Sequence, residues 1–426
     1  MKKYLYKLLA RYLSFYINEN SSVVELCNNN ISLLKNNFKN KNYQLLNHPD
    51  EIGSSAPDFV LLNSNLHYEK DIQSYLNKIQ TRINSDTRLI IVYYSSLWKP
   101  IMRLATSLGL RTKSPEENWI SHEDIENIFA LTGLQIVRRD SKIIFPIYIP
   151  LISAFLNRVI SPLPFFRLFS LANIVVARSV KPQIRKPFSV SIVVPARNEE
   201  GNIEEIARML PKFTADDELI FVEGNSTDNT WEKIKTVAAQ FGGDRKIIIT
   251  QQDGKGKGDA VRKGFSLATG DVLMIFDADI TVPPEDIVKF YDAINDNNGE
   301  FINGSRLVYP MEKEAMRFFN MIGNKFFALN FSFIIGQRFK DTLCGTKVLT
   351  RKNYNKLIEN RKYFGEFDPF GDFDLIFGAT KLALKIVEVP IRYKERKYGA
   401  TNISRWKHGV ILLRMVFFAI RKIKFI

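Results

Sequence analysis

The chain has 426 residues, with 60 Lys and Arg against 45 Asp and Glu and a formal net charge of +15. Its apolar share of 45% is that of a globular protein, and its length suits two domains with a core in each. Two cysteines, Cys27 and Cys344, lie far apart in apolar contexts, and the four histidines show no ligand spacing. A disulfide framework and a zinc site are therefore not expected, and a reducing compartment is. The charge suits an anionic membrane, a phosphorylated substrate or nucleic acid. The aromatics do not interleave with the basic residues as a stacking platform requires, so no nucleic-acid partner is expected.

Met1 to Tyr16 is basic and amphipathic without a small-residue cleavage site, and is not read as a signal peptide. Strands are predicted at Val23–Cys27, Asp58–Asn63, Arg88–Tyr94 and Leu134–Arg138, with helices at Glu69–Ile83 and His122–Leu131 between them. These make a first domain over residues 1–146. Residues 147–188 form an apolar connector punctuated by Pro150, Pro162 and Pro164, which ends in the stiff stretch Lys181–Pro187. A second domain over residues 189–402 has predicted strands at Val190–Ala196, Glu218–Glu223, Lys246–Thr250, Val272–Phe276, Phe301–Asn303 and Ile386–Tyr393. The alternation of strands and helices predicts an α/β fold with two Rossmann-like units and mostly parallel sheets. Residues 403–426 are a tail without an acid. Lys407, Arg414 and Arg421 form a cationic stripe there, beside an arc that includes Val410, Leu413, Phe417 and Ile420. Such a helix suits an anionic bilayer surface; the alternative is a helix packed on its own domain. No stretch reaches the roughly 18 uncharged apolar residues of a spanning helix. A peripheral protein on the cytoplasmic face of the membrane is expected.

The chemistry is concentrated at strand ends of the second domain. The strand Val272–Phe276 runs into Asp277 and Asp279, two residues apart and so on one side of the chain. Two hard oxygen donors at a strand end suit Mg²⁺ or Mn²⁺ carrying a diphosphate. Pro195, Ala196, Arg197, Asn198 and Glu199 form a turn that opens a helix, where backbone amides can receive a nucleotide. Glu223 ends the next strand and is followed by the loop to Asp228; an acid there can bond a base or ribose. Gly254-Lys-Gly-Lys-Gly258 opens a helix, with glycines for close approach and Lys257 offering charge to phosphates.

Taken in order, Val194-Pro-Ala-Arg-Asn-Glu-Glu200, Val222-Glu-Gly-Asn-Ser-Thr-Asp228, Gly256-Lys-Gly-Asp-Ala260, Ala268-Thr-Gly-Asp271 and Asp277-Ala-Asp279 resemble the motifs of family 2 glycosyltransferases of the GT-A fold. The polyprenyl- or dolichyl-phosphate sugar synthase branch is the most similar. Asp341-Thr-Leu-Cys-Gly-Thr-Lys347 and Val389-Pro-Ile-Arg-Tyr-Lys-Glu-Arg396 resemble its acceptor-side motifs. The resemblance implies inverting transfer from a UDP- or GDP-sugar to a polyprenyl phosphate or a cell-surface glycan. Asp277 and Asp279 would hold the metal. Arg197, Lys257, Gly258 and their companions above would hold the nucleotide. Asp341, Asp372, Asp374 and Arg396 are the catalytic candidates. For Asp372 and Asp374 the choice lies between a general base and N-terminal capping and dipole pairing of the helix from about Leu375. Arg396, Arg317 and Lys347 are candidate clamps for a phosphate acceptor. Gly224 stands where the family often has a second acid, and Thr401-Asn402 replace its Ser-Lys.

The first domain resembles class I S-adenosylmethionine methyltransferases in Val23-Val-Glu-Leu-Cys27, Asp58-Phe-Val-Leu-Leu-Asn63 and Arg88-Leu-Ile-Ile-Val92, similar to the first, fourth and fifth strands of that fold. The glycines of the cofactor loop are missing, so a degenerate domain that does not bind S-adenosylmethionine is expected. His67 is read as a cap or a satisfied core histidine. Two other readings stay open: a non-catalytic nucleotide-sugar-binding scaffold, and a bifunctional methyltransferase and glycosyltransferase.

Overall fold

The computed structural model describes residues 2–27, 32–109, 118–180, 186–309, 318–364, 371–396, 398 and 405–426, without the side chains of 318–320 and 405–408. The chain divides into two compact units. Met1–Gln183 with Arg421–Ile426 form the first, and Ile184–Ile420 form the second.

In the first unit, α1 (Lys2–Leu13) precedes β1 (Val23–Leu26), β2 (Tyr43–Leu46), β3 (Phe59–Asn63), α2 (Ile72–Arg82), β4 (Arg88–Tyr94), α3 (Lys99–Ser107), α4 (His122–Leu131), β5 (Leu134–Lys142), α5 (Ile152–Phe155) and β6 (Ala172–Ser179). The sheet order is β2-β1-β3-β4-β6-β5. Strands β1 to β4 pair in parallel, and β6 is antiparallel to both β4 and β5. The strands read as first, fourth and fifth thus lie side by side as β1, β3 and β4. All eight residues of β6 are buried, so this part of the expected connector belongs to the sheet. Its β-branched run Ile174-Val-Val176 carried the signal, hidden by the prolines before it. His67 is fully buried, accepts from the Tyr94 amide at Nε2 (2.8 Å) and meets the Asn118 carbonyl at Nδ1 (2.6 Å). It is a satisfied core histidine.

The second unit continues with β7 (Val190–Ala196), α6 (Ile203–Met209), β8 (Glu218–Glu223), α7 (Thr230–Phe241), β9 (Lys246–Gln251), α8 (Lys257–Leu267), β10 (Val272–Ile275), α9 (Ile287–Asn295), β11 (Phe301–Ser305), α10 (Phe318–Ile335), β12 (Lys347–Thr350), α11 (Arg351–Asn360), α12 (Asp372–Lys381), β13 (Ile386–Pro390) and α13 (Arg405–Ala419). The sheet order is β13-β11-β12-β10-β7-β8-β9. Its central strands are near-continuous apolar runs, as strands covered on both faces must be. Gly264 lets α8 lie close on β7, since a Cβ there would meet the Val193 side chain.

Four of the six strand pairings in this sheet are parallel, in line with the expected mostly parallel pairing, and β12 runs antiparallel to both β10 and β11. The reversal matters for function. It puts the amino end of β12, with Gly345 and Lys347, beside the carboxyl end of β10, with Asp277 and Asp279. β7, β8, β11 and β13 run with β10 or with one another in the same sense, so their carboxyl ends open on that edge too.

The expected tail is divided. α13 buries Leu412, Met415, Val416 and Ala419 and exposes Val410, Leu413 and Phe417, so it both packs and presents apolar side chains. Residues 421–426 belong to the first unit, where Lys424 is buried. Among the described residues no helix is long and apolar enough to cross a membrane. Both cysteines are free.

Candidate active site

Asp277 and Asp279 leave the carboxyl end of β10 and each meets a cation from a distant part of the chain. Lys257, the first residue of α8, lies 2.6 Å from Asp277 Oδ1. Arg396, six residues beyond β13, donates from Nη2 to Asp279 Oδ2 (2.7 Å) and from Nη1 to Glu199 Oε1 (3.2 Å). The carboxylates are part-exposed, 27% for Asp277 and 14% for Asp279. Burial alone raises the Asp277 carboxyl, but the Lys257 ammonium outweighs it and holds the group below the usual range. Burial pushes the Glu199 carboxyl up to about 7, against the pull of Arg396 and Asn202. Asp279 Oδ1 accepts from the amide and hydroxyl of Thr281 (3.2 and 2.8 Å), which fixes the loop beyond the strand.

The turn before β12 closes over the first pair. A Cβ on Gly345 would sit on Asp277 Oδ2 and Lys257 Nζ, so only glycine fits without moving them. Lys347 is fully buried, donates to the Cys344 carbonyl and lies 3.2 Å from Asp372 Oδ1. Gly258 and Gly371 pack backbone to backbone, which brings the start of α12 against the start of α8. Gly371 caps α12 in the left-handed region (φ 77°) without a side-chain bond. The cap is thus a glycine, and Asp372 and Asp374 both lie in the first turn of α12, where a carboxylate suits the helix dipole. Two residues apart on a helix, they point about 200° apart. Asp372 faces Lys347 on the side of the Lys257 turn, whereas Asp374 lies 3.0 Å from Arg361.

The nucleotide-side loop is knitted into itself. The amides of Asn198 and Glu199 donate to Ser226 Oγ (3.0 Å) and Thr230 Oγ1 (2.9 Å), and that of Glu200 reaches Asp228 Oδ2 at 3.5 Å. These amides, expected to receive a nucleotide, hold the 225–230 loop in this structure. Asp228 also accepts from the Thr230 amide (3.0 Å). Glu223 is buried and accepts from the Ser226 amide (2.5 Å) and Gln251 Nε2 (2.9 Å), so both its oxygens shape the loop. Pro195 and Ala196 end β7, and the Arg197 side chain is exposed beside them.

Asp341 has no exposed surface. Arg306 grips it through Nε (2.6 Å) and Nη2 (2.9 Å), and Asn324 donates to Oδ1 (2.9 Å). Burial would raise this carboxyl, yet Arg306 brings it down to about 2. Asp341 therefore ties the turn before β12 to Arg306 and Asn324. Arg317, Thr401 and Asn402 lie outside the described residues, as does the side chain of Lys407. The sequence reading missed Gly345 and Arg306 as parts of the site. Only the antiparallel placement of β12 reveals them, and no spacing signals that.

Asp277 and Asp279 fit a divalent ion through their donor chemistry: two part-exposed carboxylates whose counter-charges sit on mobile side chains. Among the described residues no group of three or more His, Cys, Asp or Glu could hold a metal. A Mg²⁺-type site commonly uses one or two carboxylates and completes its shell from substrate phosphates.

Residues 191–361, all within the second unit, match the model of Glycosyl transferase family 2. A dolichol-phosphate mannosyltransferase from Pyrococcus furiosus is 33% identical over 138 residues, 32% of this chain and 38% of that protein. A human dolichyl-phosphate beta-glucosyltransferase is 27% identical over 51% of this chain and 70% of its own length. A UDP-N-acetylglucosamine–dolichyl-phosphate N-acetylglucosaminyltransferase from Methanococcus voltae is 27% identical over 50% of this chain and 90% of its own length. This chain therefore spans well under half of the Pyrococcus protein. Glucosyl-3-phosphoglycerate synthase from Mycobacterium tuberculosis aligns over 55% of this chain and 80% of its own with 18% identity and a TM-score of 0.40, too remote a likeness to inform the chemistry.

Proposed function

We propose that the second unit transfers a sugar from a nucleotide-diphosphate sugar to a polyprenyl phosphate at a membrane surface, with inversion at the anomeric carbon. The observation that carries this reading is the meeting, at one sheet edge, of Asp277 with Lys257 and of Asp279 with Arg396. The relatives named above support the acceptor class, since their names pair a sugar with dolichyl or dolichol phosphate.

Asp277 and Asp279 would hold Mg²⁺ or Mn²⁺, which when bound neutralises charge developing on the leaving diphosphate. Lys257 is drawn up by Asp277 and Asp372 against the effect of burial and stays cationic. It can turn from Asp277 to the diphosphate oxygens. Arg396 can turn from Asp279 to an acceptor phosphate. Such an acceptor is already anionic and needs no general base, which suits a site whose base candidate Asp372 faces the buried Lys347. Arg306, Asp341 and Gly345 keep the turn before β12 over the Asp277–Lys257 pair.

The exposed side chains of α10 (Ile322, Phe326, Leu329) and α13 (Val410, Leu413, Phe417) support work at a lipid surface. The first unit is best read as a degenerate methyltransferase-like domain that supports rather than catalyses; the adjacency of β1, β3 and β4 is what favours it.

The test is product formation from UDP- and GDP-sugars with Mn²⁺ and either undecaprenyl phosphate or a glycan mixture. Product with the lipid phosphate alone is the expected result. Product with the glycan alone would move the acceptor to a hydroxyl and assign Asp372 the role of base.

A further inference from the structure

The first unit contains a segment that is inside out by the rules of a soluble surface. Between residues 147 and 170 the serines and the asparagine face inward: Ser153, Asn157, Ser161 and Ser170 are all buried. The large apolar ones face outward, with Leu151 87% exposed, Phe165 64% and Leu168 59%, and Ile152 and Phe155 both above half. A scattered exposed leucine needs no explanation, but a continuous inverted segment does.

The inversion is built. Asn157 accepts from the Phe145 amide (2.9 Å) and donates to the Phe145 carbonyl (2.7 Å), and its own carbonyl accepts from Tyr12 (3.0 Å). The Ser153 hydroxyl bonds the Ile149 backbone, and those of Ser161 and Ser170 meet at 3.2 Å. Phe165 packs edge-on with Phe166 and Phe169. The segment's backbone is therefore held from beneath while its apolar tips project.

The surface extends to a second element. Trp98 donates from Nε1 to the Phe169 carbonyl (2.9 Å), which joins this segment to the start of α3, where Leu97, Ile101, Leu104 and Leu108 are exposed. The charge on both segments has one sign. No Asp or Glu occurs between Asp140 and Glu199 or between Asp86 and Glu116, whereas Arg158, Arg167, Lys99 and Arg103 lie on these stretches. The Tyr4 ring lies 5.2 Å from that of Tyr148, which brings α1, with Lys2, Lys3 and Lys7 exposed, to the border of the patch.

We propose that this face of the first unit, residues 97–108 and 147–169, is a membrane-docking surface that inserts its Leu, Ile and Phe tips into the headgroup–acyl boundary of an anionic bilayer. Projecting aromatic and aliphatic tips with only basic residues among them match a lipid interface, where cations meet anionic headgroups and apolar tips the acyl chains. A protein partner large enough to cover the patch would leave that one-signed charge without a reason. The inference is independent of the sugar-transfer reading, since it concerns the other unit.

The test is co-sedimentation of the full chain with phosphatidylcholine vesicles, with and without phosphatidylglycerol. The wild type binds the phosphatidylglycerol vesicles. Leu151→Ser/Phe155→Ser/Leu168→Ser lowers its partition at least ~10-fold, with thermal unfolding and nucleotide–Mn²⁺ binding unchanged. Arg158→Gln/Arg167→Gln, which removes no apolar tip, weakens binding several-fold at low salt and little at high salt. Undiminished binding in either variant overturns the proposal. So does a wild-type dimer in sedimentation velocity that the triple variant dissociates while vesicle binding persists, which would make the face a contact between copies.

Discussion

Both units hold a knot of opposite charges, and they use it differently. In the second unit Asp277–Lys257 and Asp279–Arg396 are part-exposed pairs at the open edge of a sheet. In the first, Asp140 receives Arg138 Nε (2.6 Å) and Lys424 Nζ (2.9 Å), and Lys142 donates to the Lys424 carbonyl (2.9 Å). All four of these side chains are buried, and the rings of Phe15 and Tyr16 flank Arg138 while Tyr12 flanks Lys142. The same pairing chemistry thus gives a site where water and ligands can replace a partner, and a clasp where nothing can. The carboxylates differ in exposure, 27% for Asp277 and 14% for Asp279 against 9% for Asp140.

The contrast breaks most sharply on activity. Asp279→Ala should lower turnover of a nucleotide sugar by at least about 10²–10³-fold, while thermal unfolding moves little because a part-exposed pair contributes only about 1 kcal/mol. Chelation by EDTA should match that loss, and added Mn²⁺ or Mg²⁺ should restore it, measured as nucleoside diphosphate released. Gly345→Ala should cost roughly 10–10²-fold in turnover, since its Cβ would displace Asp277 and Lys257. Asp140→Ala should do the reverse: about 3–5 kcal/mol of stability lost in denaturant unfolding, because the buried Arg138 and Lys424 lose the carboxylate they bond, with turnover of the folded fraction kept.

The smallest effect concerns pH. Burial lowers Lys142 from its ordinary 10.5 to about 7 although Asp140 opposes this. Between those values the unfolded chain holds a proton that the folded chain has released, so stability rises with pH across that window. Lys142→Met should flatten this rise in thermal unfolding followed from pH 7 to 10.

Much of this was legible in the residues. Strands β4, β7 and β8 and helix α4 lie where periodicity puts them, because a buried run between turn residues leaves little choice. The Asp277/Asp279 pair at a strand end was legible for the same reason. What escaped depends on three-dimensional closure. Arg396 meets Asp279 across 117 residues and Glu199 across 197, and no local pattern encodes such a meeting. Strand β12 has only four residues and begins on Lys347, the last residue of the stretch that resembles an acceptor motif, so neither its reversal nor the place of Gly345 against Asp277 was visible. The motif around Asp341 did not signal its complete burial against Arg306 either.

The central claim is that Asp277 and Asp279 carry the metal–diphosphate end of a nucleotide sugar. Calorimetric titration of UDP and of GDP into the protein, with and without Mn²⁺, tests it most directly. The account predicts that Mn²⁺ tightens one of the two nucleotides at least ~10-fold in the wild type and not in Asp279→Ala. Equal binding with and without Mn²⁺, or the same Mn²⁺ effect in Asp279→Ala, would contradict it.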